Sequence, residues 1–154
     1  MIKKIIAGTL ISSMSLFALP NSEIELAMIA KAAQKKAVVM MNMNLKDEVK
    51  ENFGKLYDEY QFKLMKQRIG ELELISNYAK NYKNMTDENS DKLIVEWATT
   101  EEAELNLKKE YMAKFKKIMP SSSVIRYFQI ENRLQLVMEM RKAQAIPLAT
   151  PKAD

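Results

Sequence analysis

The sequence predicts an all-α protein: an elongated antiparallel helical hairpin with flanking N- and C-terminal helices, about four helices in all. Between residues 21 and 119 there is no proline and there are only two glycines, Gly54 and Gly70, while the strongest helix formers, Ala, Leu, Met, Glu, Lys and Gln, dominate. Apolar residues in the same stretch recur at three- and four-residue steps, the period of a helix face. Clusters of turn residues at 42–44, 81–86 and 120–123 divide it into segments 23–41, 46–82, 87–118 and 122–144.

The chain begins Met1-Ile2-Lys3-Lys4, runs without charge over residues 5–19, and meets its first acid at Glu23. A basic start before an apolar run of this length is the pattern of a secretory signal peptide, assigned to residues 1–22. The run is shorter than the roughly 20 apolar residues that span a bilayer, and Thr9, Ser12, Ser13 and Ser15 interrupt it. An uncleaved anchor helix is the alternative. No clean small-x-small site is present, so cleavage is placed only within 18–30. Residues 23–146 form a single helical domain. The tail 147–154, with Pro147 and Pro151, is expected to be disordered.

The second segment carries Phe53, Leu56, Tyr57, Tyr60, Leu64, Leu72, Ile75, Tyr78 and Tyr82 on one stripe, interrupted by Gln67, Arg68 and Glu71. The third carries Leu93, Ile94, Trp97, Ala98, Leu105, Tyr111, Met112, Phe115, Ile118 and Met119, broken near Glu101 and Glu102. Val124, Tyr127, Phe128, Leu134, Val137 and Met138 mark the fourth. At 1.5 Å per residue the two central helices would be about 55 and 48 Å long, and the turn of about five residues between them makes them an antiparallel hairpin. Thr86 is the expected cap of the third helix, ahead of Asp87 and Glu88, which suit the helix dipole. A serine after Pro120 is expected to cap the fourth. Asn84-Met85-Thr86 also fits Asn-x-Thr, and is read as that cap. A thin bundle of this kind exposes much of its surface, so a homodimer is expected.

The chain has 154 residues, no Cys, no His and three glycines. That excludes disulfides, Cys/His zinc sites, lipidation on Cys and every imidazole-based triad, and it leaves no glycine loop for phosphate. No enzymatic activity and no cofactor are expected. The net charge of +4 conceals an asymmetry: residues 23–104 hold 12 basic and 16 acidic side chains, residues 105–154 hold 10 and 4. The basic third suits nucleic acid, anionic lipid or an acidic protein surface; export argues against nucleic acid, and the reading favoured is solvated helix faces with attraction between oppositely charged helices or protomers. Of the 12 methionines, Met40, Met41 and Met43, with Met138 and Met140, offer soft sulfur to Cu(I). They equally serve as gap-fillers or as an adaptable binding surface. The acidic groups Asp87, Glu88, Asp91 and Glu101, Glu102, Glu104 lack a calcium-loop pattern and are read as dipole compensation and solvation.

Asn44-Leu45-Lys46-Asp47-Glu48-Val49, with Phe53 and Leu56-Tyr57-Asp58-Glu59-Tyr60-Gln61, resembles the NLTxEQ...F..LYDEYQ opening of the periplasmic LTxxQ-motif helical proteins, the Spy/CpxP-like group. Met85-Thr86-Asp87-Glu88-Asn89 resembles a second LTDEQ. Lys114-Phe115-Lys116-Lys117-Ile118-Met119-Pro120, Arg126-Tyr127-Phe128-Gln129-Ile130-Glu131-Asn132 and Ala145-Ile146-Pro147-Leu148 are similar to blocks of exported members of that group. The likeness covers residues 40–148. Lys46 and Val49 stand where the first motif has Thr and Gln, so Asn44 is the expected replacement cap there.

The resemblance implies a periplasmic, ATP-independent, chaperone-like or envelope-stress protein, often dimeric, that binds unfolded clients through mixed apolar and basic contacts and does not insert in the membrane after processing. An adaptor for one defined periplasmic partner is the rival reading, and soft-metal binding a third. Met40, Met41, Tyr57, Tyr60, Arg126, Tyr127, Phe128 and Arg133 are the candidate partner-binding or packing residues. The aromatics among them are expected to pack, since aromatic residues on a helical stripe are usually core.

Overall fold

A computed structural model describes residues 21–149; the expected leader up to residue 20 and the end of the tail, 150–154, lie outside the described residues. Four helices follow one another: α1 (Asn21–Met43), α2 (Asp47–Asn81), α3 (Asp87–Phe115) and α4 (Ser121–Ala145), with a short 3-10 turn at Tyr82–Asn84. The protein is all-α, a hairpin of α2 and α3 with a helix on either side. Among the described residues no helix is long and apolar enough to cross a membrane.

Cross-helix bonds fix the topology. Glu59 accepts from Tyr111 and Lys114, Gln67 donates to the Ala103 carbonyl, and Arg68 meets Glu104, so α2 and α3 run antiparallel. Gln61 with Tyr127, Glu71 with Lys142, and Tyr78 with the Pro147 carbonyl place α4 parallel to α2. Lys36 to Asp58 and Lys35 to Gln61 set α1 antiparallel to α2.

The helix ends follow local chemistry with three corrections. Thr86 caps α3, its Oγ1 accepting from the Asn89 amide at 3.2 Å, with Asp87 and Glu88 in the first turn. At the start of α2, however, the cap position is Lys46, with no side-chain bond, and Asn44 does not cap. Asn44 instead turns the chain out of α1 at φ 48°, in the left-handed region that Asn tolerates better than most residues. Nor does a serine cap α4: Pro120 holds that position and Ser121 is already helical, where proline's missing N–H costs nothing. The third helix ends at Phe115, short of the expected 118. Pro120 disfavours helical geometry at Met119, and residues 116–119 wind down through the tighter bonds Lys117 N to Lys114 O and Ile118 N to Phe115 O.

The buried core occupies one end of the bundle. It is largely aromatic: Phe53, Tyr57 and Tyr60 of α2, Tyr111 and Phe115 of α3, Tyr127 and Phe128 of α4, closed by Val39 and Met43 of α1. Tyr127 is its hub, with ring centroids 4.8 Å from Phe115 and from Phe128 and 5.2 Å from Phe53, in the tilted and edge-on arrangements that aromatic quadrupoles favour. The polar residues that broke the α2 stripe form the next layer, where Arg68 meets Glu104 and Glu71 meets Lys142. Beyond it the hairpin continues with half-buried Leu72, Ile75, Tyr78 and Leu93, none of them fully covered.

Candidate partner-binding surface

The expected site residues divide between core and surface. Tyr57, Tyr60, Tyr127 and Phe128 are buried, as the stripe reading requires. Met40 is half-buried against the core, whereas Met41 is 83% exposed. Arg126 lies on the surface and donates from Nε to the Asn42 carbonyl at 2.8 Å, tying α4 to the end of α1; Arg133 is exposed. The structure therefore brings the four aromatics together and leaves Met41 and Arg133 apart from them. Met40 and Met41 point in directions about 100° apart on the helix, so Met41 faces solvent while Met40 and Met43 lie on the core side. Among the described residues no three His, Cys, Asp or Glu side chains gather where a metal ion would sit.

Ile94, Trp97 and Leu105, assigned to the α3 stripe, and Val137 and Met138, assigned to that of α4, reach solvent instead, and other apolar residues beside them do too. Ile94, Val95 and Trp97 are 60%, 64% and 61% exposed, and Leu105, Leu136 and Met140 are exposed too. Lys108 donates to Asn132 at 2.7 Å and Gln135 to Glu104 at 3.0 Å, which sets Leu105 and Leu136 at the same height on neighbouring helices. Ile94, Leu105 and Met112 recur at helical spacing on α3, and Ile125, Leu136 and Met140 on α4. At the core end this strip opens into a cleft of about 420 Å³ lined by Met112, Lys116, Val124, Ile125, Phe128 and Gln129. Leu107, absent from the predicted stripe, is the α3 residue that is buried in place of Leu105. Exposed apolar area in a strip with lysine and glutamate at its rims has the make-up of a protein-binding surface.

A polar knot stands behind the core. Glu131 is 2% exposed and accepts from Lys35 Nζ and from Gln61 Nε2, the latter at 3.2 Å. Gln61 also donates to Tyr127 Oη and accepts from Lys35. Burial lowers the pKa of Lys35, and the Glu131 carboxylate partly restores it. Burial raises the phenol pKa of Tyr57, Tyr60 and Tyr127, and the negative charge of Glu131 raises them further. The raised phenol pKa values keep these tyrosines neutral across the neutral range. The knot fastens α1 and α2 to α4 through Lys35, Gln61 and Glu131.

A second ionic cluster lies at the α2–α3 surface. Lys114 reaches Glu110 at 2.9 Å and Glu59 at 3.1 Å, and these bonds raise its pKa. The side chains are well exposed, so the cluster contributes little to stability. Neither a protein-family model, nor a curated protein, nor a solved structure matches the chain.

Proposed function

We propose that the protein is an exported, ATP-independent, chaperone-like or envelope-stress protein that binds apolar segments of unfolded or partner proteins on the α3–α4 strip. The observation that carries this reading is the exposure of Trp97, Ile94 and Leu105 on one helix beside Leu136 and Met140 on the next. Apolar contact supplies affinity there, and the basic rim from Lys108 to Arg133 draws in acidic chains. The basic, then apolar, N-terminus supports export to the periplasm. The resemblance to LTxxQ-motif proteins supports client binding.

The test is suppression of aggregation of two chemically unrelated unfolding proteins at equimolar or lower ratio, compared with a Trp97→Ser, Leu105→Ser, Leu136→Ser variant that keeps its helical circular dichroism. Suppression of both, lost in the variant, supports the reading. Failure with both substrates, alongside retention of a single protein in pull-downs from an envelope fraction, would replace it with the adaptor reading.

A further inference from the structure

The described side chains that hold helix α1 are few and lie in its C-terminal half. Among its described side chains only Val39 and Met43 are fully buried, while Leu26, Ile29, Val38 and Met41 face solvent. Polar ties supplement them: Lys35 to Glu131, Lys36 to Asp58, and the Asn42 carbonyl to Arg126. What α1 presents to the groove between α2 and α4 is thus a short code of Lys35, Val39 and Met43, spaced four residues apart. A turn of three residues, 44–46, then reverses the chain into α2. Asn44 stands at φ 48° in that turn, the one non-glycine residue with positive φ among the described residues. A side chain there is disfavoured, and short turns under such strain invite exchange of the element they carry. No proline or glycine occurs from 37 to 53, so the segment can also run on as helix.

We propose that the groove filled by α1 is also the docking site for α1 of a second copy, two chains exchanging α1 reciprocally by straightening residues 44–46 into helix. The second copy is the occupant because its α1 carries the same Lys35, Val39 and Met43 in the same register. Every groove contact of the monomer is then remade in the dimer, and the equilibrium turns on the strain at Asn44 against the entropy of association. Exchange is slow, since α1 must leave its groove first. The proposal stands apart from client binding on the α3–α4 strip and uses none of its residues.

Cross-linking distinguishes this dimer from any other. Lys36 Nζ and Asp58 Oδ2 are 2.6 Å apart on exposed side chains, within reach of zero-length carbodiimide coupling. Chains labelled with ¹⁵N and unlabelled chains are refolded together at high concentration, the dimer is isolated by gel filtration and coupled, and the Lys36–Asp58 peptide is read by mass spectrometry. Mixed-isotope linkages are expected in about half of the coupled pairs, as random reciprocal exchange requires. Asn44→Gly, which relieves the turn, should weaken dimerisation about tenfold; Asn44→Ala, which penalises the turn and favours helix, should strengthen it by a similar factor. Like-isotope linkages alone in the dimer, a dimer indifferent to residue 44, or a monomer at millimolar concentration would each overturn the proposal.

Discussion

Glu131 of α4 receives the ammonium of Lys35 from α1, and the two side chains are 2% and 12% exposed. Desolvating two charges is costly, and their attraction repays it only when both are present and hydrogen-bonded. Lys35→Met or Glu131→Leu alone should therefore destabilise the protein by about 3–5 kcal/mol, each leaving one buried charge unpaired. The double substitution should be neutral or stabilising by about 1–4 kcal/mol, because Gln61 keeps its bond to Tyr127 while the charges are gone. Urea unfolding of the four proteins measures the cycle, and additive single effects would show that the pair does not act as a unit.

Alkali should unfold the protein together with ionisation of its core. The phenols of Tyr57, Tyr60, Tyr111 and Tyr127 all have pKa raised from 10.0, first by burial. A raised folded pKa gives stability that is fully present below pH 10.0 and is lost as pH climbs above it, where the unfolded chain releases the proton first. Lys35 acts in the opposite sense. Its pKa is lowered from 10.5, so between its folded value and 10.5 the unfolded chain binds the extra proton and stability rises with pH. One lysine against four phenols leaves a net loss. Phenolate absorbance and helical circular dichroism should change together above pH 10.0; phenolate formed in a chain that stays helical would contradict the buried assignment.

The fold was legible because its signals are local: helix formers, a threonine cap, a proline stop and three-four spacing each act within a turn or two. The core aromatics were legible for the same reason. The surface was not, because spacing reports which residues share a face and says nothing about whether another helix covers it. Ile94, Trp97 and Leu105 have core spacing, but Ile94 and Trp97 lie beyond the buried end of the bundle, and Leu107 goes inside in place of Leu105. Asn44 illustrates the same limit at a turn. Its chemistry suits both a cap and a left-handed residue, and the close packing of α1 on α2 selects the second.

Stability should be lopsided along the bundle. Phe115 is fully buried against Phe53 and Tyr127, so Phe115→Ala should cost about 3–5 kcal/mol. Ile94 is 60% exposed beyond the polar layer, and Ile94→Ala should stay within about 0.5 kcal/mol. Chemical denaturation gives both values, and amide exchange should be slowest at residues 53–64 and 107–115. Equal costs would place the core elsewhere.

The two helix starts make a matched pair of tests. Thr86 Oγ1 bonds the Asn89 amide, so Thr86→Ala should cost about 1 kcal/mol. Ser121 makes no capping bond, since Pro120 occupies the cap position, and Ser121→Ala should change stability by less than about 0.5 kcal/mol. A loss at Ser121 matching that at Thr86 would restore serine as the cap.

Trp97 is the sole tryptophan and is 61% exposed, which makes it a reporter placed on the proposed binding strip. In the free protein its emission should lie at the red, water-exposed end and acrylamide should quench it almost as freely as indole in solution. A bound unfolded client removes water from the strip, so emission should shift to the blue and quenching should fall as client is added. Clients lacking tryptophan keep the signal unambiguous, and Trp97→Phe should retain client binding while losing the signal. A client whose capture is visible by light scattering but leaves Trp97 emission and quenching unchanged would move the binding surface off the α3–α4 strip.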